Sequence, residues 1–519
     1  MVCKRYPSYY KKIIKQGDET METDILIIGG GVIGTSIAYQ LAKYNLNITL
    51  VEKASDVCMG SSKANSAMIH SGFNIDADKL KGKLALEANR VIKKLCEELD
   101  VCLEKPFGSI TVGFDETDLE KMKKTLENGT KNGIKGMKIL DQKELHEMEP
   151  NLNPEAKYGL FEPETGIINP FEYTVALAEN AVLNGTTVLF NTEVLDVIVK
   201  NKTVFGVKTN KGDIEANVVI NAAGLYSDKI ASMVEEIEFN ITPRKGQYFI
   251  YDKKWGKLLN HTIYTSPTKV SKGMIVNPTV HGNIIAGSNA EEIDDKTDLA
   301  TTAEALNDIY KNAISHLFPA LPRMGEVITA FSGLRAASDN EDFIIEHAKT
   351  VRGLINVAGI QSPGLTSAPA IATMVEGLIK ELDYDLDFSP KANYIIGREK
   401  PVLLAELSYE ERTSYIEKNP DFGEIICRCE SISRGEIIDA IHRPIPAMDM
   451  DAIKRRVRAG MGRCQGGFCG TKVLDIISKE LHISPLEVTL KGGKSTVLAF
   501  RNKELSLEEG DSSHEKIRV

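Results

Sequence analysis

The run Asp24-Ile25-Leu26-Ile27-Ile28 meets Gly29-Gly30-Gly31-Val32-Ile33-Gly34 and passes directly into a helix-like stretch from Thr35 to Tyr44. Branched aliphatic residues favour a strand, and the glycines allow a turn too tight for other side chains, so the chain is committed to a strand–turn–helix unit. Gly29 permits the turn, Gly31 lets backbone approach a pyrophosphate, and Gly34 lets the helix pack closely on its strand. The positive end of the helix then faces the phosphates. A second strand is predicted from Asn47 to Val51, ending in Glu52, 18 residues beyond Gly34, where a carboxylate can accept hydrogen bonds from ribose hydroxyls. The glycines alone would also describe a flexible turn. With strand, helix and terminal acid in register they describe a dinucleotide site, and the acid would repel a 2′-phosphate, which favours FAD or NAD over NADP.

At 519 residues the chain has room for about three domains of roughly 150 residues each. Its net charge of −10 argues against a general nucleic-acid binder. No apolar stretch approaches the roughly 20 residues of a spanning helix, since even Asp24 to Ile37 is broken by Gly29, Gly30, Gly31 and Gly34. The first 20 residues carry Lys4, Arg5, Lys11, Lys12 and Lys15 without the apolar centre of a secretory signal, and Met21 could itself be the start. Eight cysteines are too few for a disulfide framework in so long a chain, which points to a reducing, cytoplasmic location. Peripheral association with the inner face of a membrane stays open.

Ser61-Ser62-Lys63-Ala64-Asn65-Ser66-Ala67-Met68-Ile69-His70-Ser71-Gly72 is a polar, small-residue stretch where a simple NAD domain would continue into another strand. It resembles the flavin-contacting loop of the D-amino-acid-oxidase-type FAD oxidoreductases. Further segments follow in that family's order. Val218 to Gly224 is similar to its second flavin-side strand and turn, and Pro243 to Tyr248 to the returning strand of its substrate domain. Ser332-Gly333-Leu334-Arg335 is similar to its substrate-anion motif, and Gly359 to Thr366 to the loop that closes on the isoalloxazine ring. The resemblance implies bound FAD, contacted by Gly29, Gly31, Gly34, Glu52, Ser61, Ser62, Asn65, Gly224, Gly359, Gly364, Leu365 and Thr366. It implies an α/β fold: a Rossmann-type FAD-binding domain assembled from 21–107, 155–240 and 329–385, with an inserted antiparallel-sheet substrate domain from 108–154 and 241–328; a second resemblance, carried by the cysteines taken up next, implies a small helical C-terminal iron–sulfur domain. Residues 1–20 read as an extension, 386–420 as a polar connector and 482–519 as a tail, charged beyond Lys503.

Half of the eight cysteines lie within 43 residues: Cys427 and Cys429, then Cys464 and Cys469. The 34 residues between the pairs can form two short helices, one boxed by Ser433 and Glu436 before Ile437 to His442, the other capped by Asp451 and running to Ala459. Gly460, Gly462, Gly466, Gly467 and Gly470 would let backbone N–H groups approach sulfur. Four thiolates suit a [2Fe–2S] cluster or a structural zinc, and unpaired buried cysteines are the plain alternative. Neither spacing is the Cys-x2-Cys of zinc ribbons. The region 421–481 closely resembles the bacterioferritin-associated-ferredoxin-like module, which implies a [2Fe–2S] centre. Cys3, Cys58, Cys96 and Cys102 read as ordinary thiols. Lys454, Arg455, Arg456, Arg458 and Arg463 could offset an anionic cluster, dock an acidic redox partner, or form a solvated helix face. Lys491-Gly492-Gly493-Lys494-Ser495 lacks the leading glycine of a phosphate loop, since position 488 is valine.

A flavin beside an anion-binding arginine implies hydride transfer from a carbon bearing OH or NH. Arg335 is the candidate clamp, with a surface ion pair to Asp339 or Asp342 as the alternative. His70 could accept the hydroxyl proton, or serve only to hydrogen-bond the flavin or pack locally. The flavoprotein body and cysteine module together resemble the A-type subunits of anaerobic glycerol-3-phosphate dehydrogenases. That implies oxidation of glycerol 3-phosphate, with electrons leaving through the cluster to a partner protein or quinone pool. Ser61 to Gly72 and Gln361 to Gly364 are equally similar to L-2-hydroxyglutarate dehydrogenases, so a 2-hydroxy acid remains as substrate, and a non-catalytic electron-transfer subunit as the reading from another class.

Overall fold

The computed structural model describes residues 21–105, 107–266, 273–319 and 324–502; the expected extension 1–20, Cys3 and the charged tail beyond Lys503 lie outside the described residues. The chain divides between Lys400 and Pro401 into two compact units.

In the first unit, β1 (Met21–Ile28) buries Ile25, Leu26 and Ile27 completely, as a strand covered on both faces must. Gly29, at a φ of 111° that side-chain-bearing residues rarely adopt, turns the chain into α1 (Val32–Leu41). A Cβ on Gly34 would overlap the Gly29 carbonyl oxygen, so the helix can lie this close only with glycine there. β2 (Ile48–Val51) follows, then α2 (Leu80–Leu99), and then a first excursion through β3 (Ser109–Gly113), β4 (Lys138–Leu140) and β5 (Tyr158–Glu162). The chain returns through α3 (Pro170–Leu183), which Asn169 caps, into β6 (Thr187–Leu189), β7 (Val194–Lys200), β8 (Thr203–Thr209) and β9 (Gly212–Asn221). A second excursion comprises β10 (Ile241–Tyr251), β11 (Thr262–Thr265), β12 (Ile275–Pro278), β13 (Ile284–Gly287) and β14 (Val327–Ser338). β15 (Ile344–His347), β16 (Leu354–Ala358) and α4 (Gly364–Glu381) complete the unit.

Eight strands form the first sheet, in the order β7-β8-β9-β1-β2-β6 with β16 on β9 and β15 on β16. β16, β9, β1, β2 and β6 run parallel to one another, the doubly wound arrangement the glycine loop requires, while β8 and β15 join them antiparallel. The excursions build the second sheet, where β14 pairs with β10 and the path continues β10-β13-β12-β11-β3-β5-β4. Two boundaries need correction. Residues 155–163 and 329–338, expected in the nucleotide part, include β5 and most of β14, which belong to the second sheet; short alternating runs look alike whichever sheet they join. The second sheet is also not wholly antiparallel, because β3 and β11 pair in parallel where the two excursions meet.

The expected connector 386–420 is likewise divided. Up to Lys400 it packs along the first unit, where Lys391 N–H donates to the Lys43 carbonyl and the Arg398 guanidinium to Leu99 and Glu179. In the second unit, α5 (Tyr409–Lys418) precedes β17 (Ile425–Cys427) and β18 (Ile432–Ser433), an antiparallel pair, then α6 (Arg434–Ile441), α7 (Met450–Val457) and α8 (Gly470–Leu481). The capping box of Ser433 and Glu436 forms as its spacing predicts. α7 is capped by Asp449, not Asp451, and stops at Val457 because Arg458 turns left-handed. Ile437, Ile441, Ile453 and Ile477 close a separate core. Among the described residues no helix is long and apolar enough to cross a membrane.

Candidate functional site

A cavity of about 560 Å³ opens in the first unit, lined by Gly29, Gly31, Glu52, Ser61, Ser62, Asn65, His70, Gly224, Arg335, Gly364, Leu365 and Thr366. Two predicted contacts do not line it. Gly34 serves the α1–β1 packing, and Gly359 forms a left-handed turn after β16 at φ 67°. Ser62 Oγ accepts the Val32 N–H at 2.9 Å, which fixes the polar loop against the start of α1. Asn65 turns inward: its amide donates to the Ser61 and Ser62 carbonyls, and its oxygen accepts the Ala67 N–H. Glu52 accepts the Gly30 and Ala54 N–H groups at 2.7 and 2.8 Å; burial pushes its carboxyl pKa up, and these two bonds oppose the shift. At Gly224, φ 57°, a Cβ would project into open space, so the backbone is bare there. The bare glycine turns, the N-terminus of α1 and the acid at the end of β2 fit the pyrophosphate and ribose of FAD.

His70 is held at several points. Its backbone N–H donates to Thr366 Oγ1 at 2.8 Å, its ring stacks on Phe73, and its Nδ1 accepts the Gly72 N–H at 2.8 Å. A neutral imidazole accepting at Nδ1 carries its hydrogen on Nε2, so in this arrangement His70 presents a donor at that atom.

Arg335, on β14, reaches Ser288 Oγ, the Tyr248 hydroxyl (3.5 Å) and the Asn289 carbonyl (3.5 Å), and among the described residues no carboxylate pairs with it. The alternative ion pairs do not form: Asp342 accepts the Leu80 and Lys81 N–H groups, and Asp339 the Asn240 N–H. Directly across the sheet stands Arg244, whose charge is met by Glu341 and Glu292. Glu341, held below the usual carboxylate range by Arg244, also accepts the Gln361 amide at 2.9 Å. Lys81, its pKa lowered by burial, donates to the Glu341 carbonyl. Sequence reasoning missed Lys81, Arg244, Tyr248, Ser288 and Glu341, all of which line the cavity. Tyr248 and Arg244 could have been found in the Pro243–Tyr248 segment; Glu341 and Lys81 meet only through the tertiary fold.

In the second unit, the Cys429 and Cys464 sulfurs lie 3.7 Å apart, and the buried Cys427 neighbours Cys469 at the start of α8. The Cys469 side chain, helped by the Gly460 and Glu430 N–H groups, lowers the Cys427 pKa to about 6; the Phe468 N–H lowers that of Cys464. A Cβ on Gly462 would overlap that of Cys429, so glycine is required where the two loops cross. No three His, Cys, Asp or Glu side chains among the described residues converge on one ion as a mononuclear zinc would require. Four thiols gathered as two pairs, with backbone N–H groups aimed at sulfur, fit a binuclear cluster.

Comparison with known proteins agrees with this geometry. The FAD dependent oxidoreductase family (DAO) matches over residues 24–378, and the BFD-like [2Fe–2S] binding domain over 425–479. A glycerol 3-phosphate dehydrogenase of Caloramator mitchellensis is 45% identical over 90% of this chain and 96% of its own. An Escherichia coli L-2-hydroxyglutarate dehydrogenase is 32% identical over 51% of this chain and 64% of its own. The dithionite-reduced L-alpha-glycerophosphate oxidase of Mycoplasma pneumoniae with FAD bound superposes with a TM-score of 0.70 at 30% identity, covering 74% of this chain and all of its own. The chain thus belongs to the FAD-dependent oxidoreductase family and carries a BFD-like [2Fe–2S] binding domain at its C-terminal end.

Proposed function

We propose that this protein oxidises sn-glycerol 3-phosphate to dihydroxyacetone phosphate, with electrons leaving through the iron–sulfur centre. The observation that carries the reading is Arg335, whose guanidinium has no carboxylate partner among the described residues and lines the same cavity as the glycine loop. A half-buried guanidinium with no carboxylate partner among the described residues calls for an anionic ligand, and its fork suits phosphate. It would suit a carboxylate equally, but the 45%-identical glycerol 3-phosphate dehydrogenase spans nearly the whole chain and the L-2-hydroxyglutarate dehydrogenase half of it, which favours the phosphate.

Gly29, Gly31 and Gly224 would accept the pyrophosphate side of FAD, Glu52 the ribose, and Ser61, Ser62, Gly364, Leu365 and Thr366 the rest; Asn65, Gly34 and Gly359 would act by shaping these segments. Bound FAD supplies the hydride acceptor, its N5. Arg335 anchors the phosphate and so fixes the substrate hydroxyl and its C–H relative to the ring site. His70 donates from Nε2 to the hydroxyl oxygen and orients it, and the hydroxyl proton passes to solvent as the hydride leaves the carbon. Cys427, Cys429, Cys464 and Cys469 would hold the [2Fe–2S] cluster, the exit towards a redox protein or, at the inner face of a membrane, a quinone.

An anaerobic titration tests the reading. Glycerol 3-phosphate should bleach the flavin absorbance and 2-hydroxyglutarate should not; the reverse order would transfer the assignment to the 2-hydroxy acid. A flavin reduced by neither, and only by another redox protein, would make the chain an electron-transfer subunit.

A further inference from the structure

We infer that the exposed rim of the cysteine centre is a docking face for an acidic protein carrying a one-electron redox group. This rests on the proposed electron exit and specifies where and to what kind of partner it leads. The four cysteines are not equally buried. Cys427 and Cys469 are sealed inside at 1% and 2% exposure, while Cys429 is exposed and Cys464 partly so. The pair Cys429 and Cys464 therefore marks the edge from which an electron has the shortest path to a second protein.

The residues framing that edge have one character. Phe468, between Cys464 and Cys469, is 78% exposed, the apolar contact a short-lived complex can bury. Arg428 sits between Cys427 and Cys429, Arg463 directly precedes Cys464, and Lys472 lies in the first turn of α8; all three are exposed. From Ala459 to Leu474 the only charged residues are Arg463 and Lys472. Among the acids of this unit, Glu430 pairs with Arg458 at 2.8 Å, Asp421 and Glu424 with Arg434 at 3.2 and 3.6 Å, and Asp475 with Lys479 at 2.7 Å. A local positive field on a chain of net charge −10 would orient an acidic carrier with its redox group against the cluster edge. The step transfers one electron from the reduced cluster to the oxidised carrier, and no proton moves.

The test uses the full chain with FAD and cluster loaded and oxidised, so it needs no substrate turnover. Calorimetry would measure binding of an oxidised acidic plant-type ferredoxin, with the basic cytochrome c as control, at low and high ionic strength. Ferredoxin should bind more tightly than cytochrome c, and lose about tenfold or more in affinity on adding salt. A comparable loss is expected in the triple variant Arg428→Glu/Arg463→Glu/Lys472→Glu; Phe468→Ala should weaken binding while leaving the salt dependence intact. Should charge reversal disturb cluster assembly, Arg428→Gln/Lys472→Gln gives the same comparison at smaller amplitude. Equal affinity for the two carriers, binding indifferent to salt, or variants that shift only the cluster's reduction potential and bind ferredoxin as the parent does would each overturn the inference. If glycerol 3-phosphate fails to bleach the flavin, the proposed substrate falls while this binding result stands.

Discussion

Replacing Arg335 with alanine separates substrate capture from cofactor capture. The guanidinium contacts Ser288, Tyr248 and Asn289, all in the excursion that builds the second sheet, and none of the glycine-loop residues. Its loss should leave FAD bound at parental stoichiometry. A hydrogen bond to a charged partner contributes about 1.5–3 kcal/mol net, and each ~1.36 kcal/mol is tenfold. The substrate concentration for half-maximal flavin bleaching should therefore rise roughly 10- to 150-fold in Arg335→Ala. Because the phosphate is remote from the reacting carbon, the loss should fall on KM more than on kcat. Gly246→Ala is a gentler companion: an added Cβ would lie 2.7 and 3.0 Å from the two terminal nitrogens of Arg335, displacing the fork while keeping its charge. It should raise KM by less than the alanine variant. Anaerobic stopped-flow bleaching against glycerol 3-phosphate provides the measurement, and an unchanged half-saturation point in a flavin-replete Arg335→Ala protein would remove Arg335 from the site.

Cys464→Ser should abolish the visible cluster absorbance and lower the iron-to-flavin ratio while FAD remains, because each unit has its own core; equal iron in variant and parent would refute the ligand assignment. Gly34→Ala should cost about 3 kcal/mol, the upper end for overpacking, since backbone must move to admit the methyl group, and should lower flavin content; a parental urea midpoint with full FAD would contradict the close packing of α1 on β1. Glu341, held by Arg244 below the ordinary glutamate range, contributes stability that is complete above about pH 4.5 and is lost as pH falls through its depressed value. Glu341→Gln should be destabilised at neutral pH by less than about 1 kcal/mol, given its partial exposure, and the gap should narrow with acidification; a gap that widens towards acid would reverse the sign of this argument.

Local chemistry made some features legible and hid others. The turn at Gly29 and the capping box of Ser433 and Glu436 depend on residues at most a few positions apart, so spacing alone locates them. The doubly wound sheet was readable from β1 and α1 because a strand buried on both faces has an unbroken apolar run. The assignment of β5 and β14 was not, since an alternating strand carries no mark of which sheet it will join. In the site, Arg335 stood in a recognisable segment, but its freedom from an ion pair depends on Arg244, 91 positions earlier, taking Glu341 and Glu292. The tautomer of His70 was illegible for a different reason: it is set by one backbone N–H at Gly72, and backbone groups leave no trace in residue type.

The pairing of β1 with β9, and of β9 with β16, has a consequence for synthesis. β1 must wait for the residues of β16, ending at Ala358, before its sheet is complete. At about 5–20 residues per second on the ribosome, that is a delay of roughly 15 to 70 s. Throughout it, Ile25, Leu26 and Ile27 have no finished surface to bury against, and the nascent chain depends on holding factors or transient collapse. A message cut short before α4 would yield apolar strands and no flavin pocket. Cys427, Cys429, Cys464 and Cys469 lie within 43 residues of one another and bear no such wait, so the unit that holds them can fold soon after it is made.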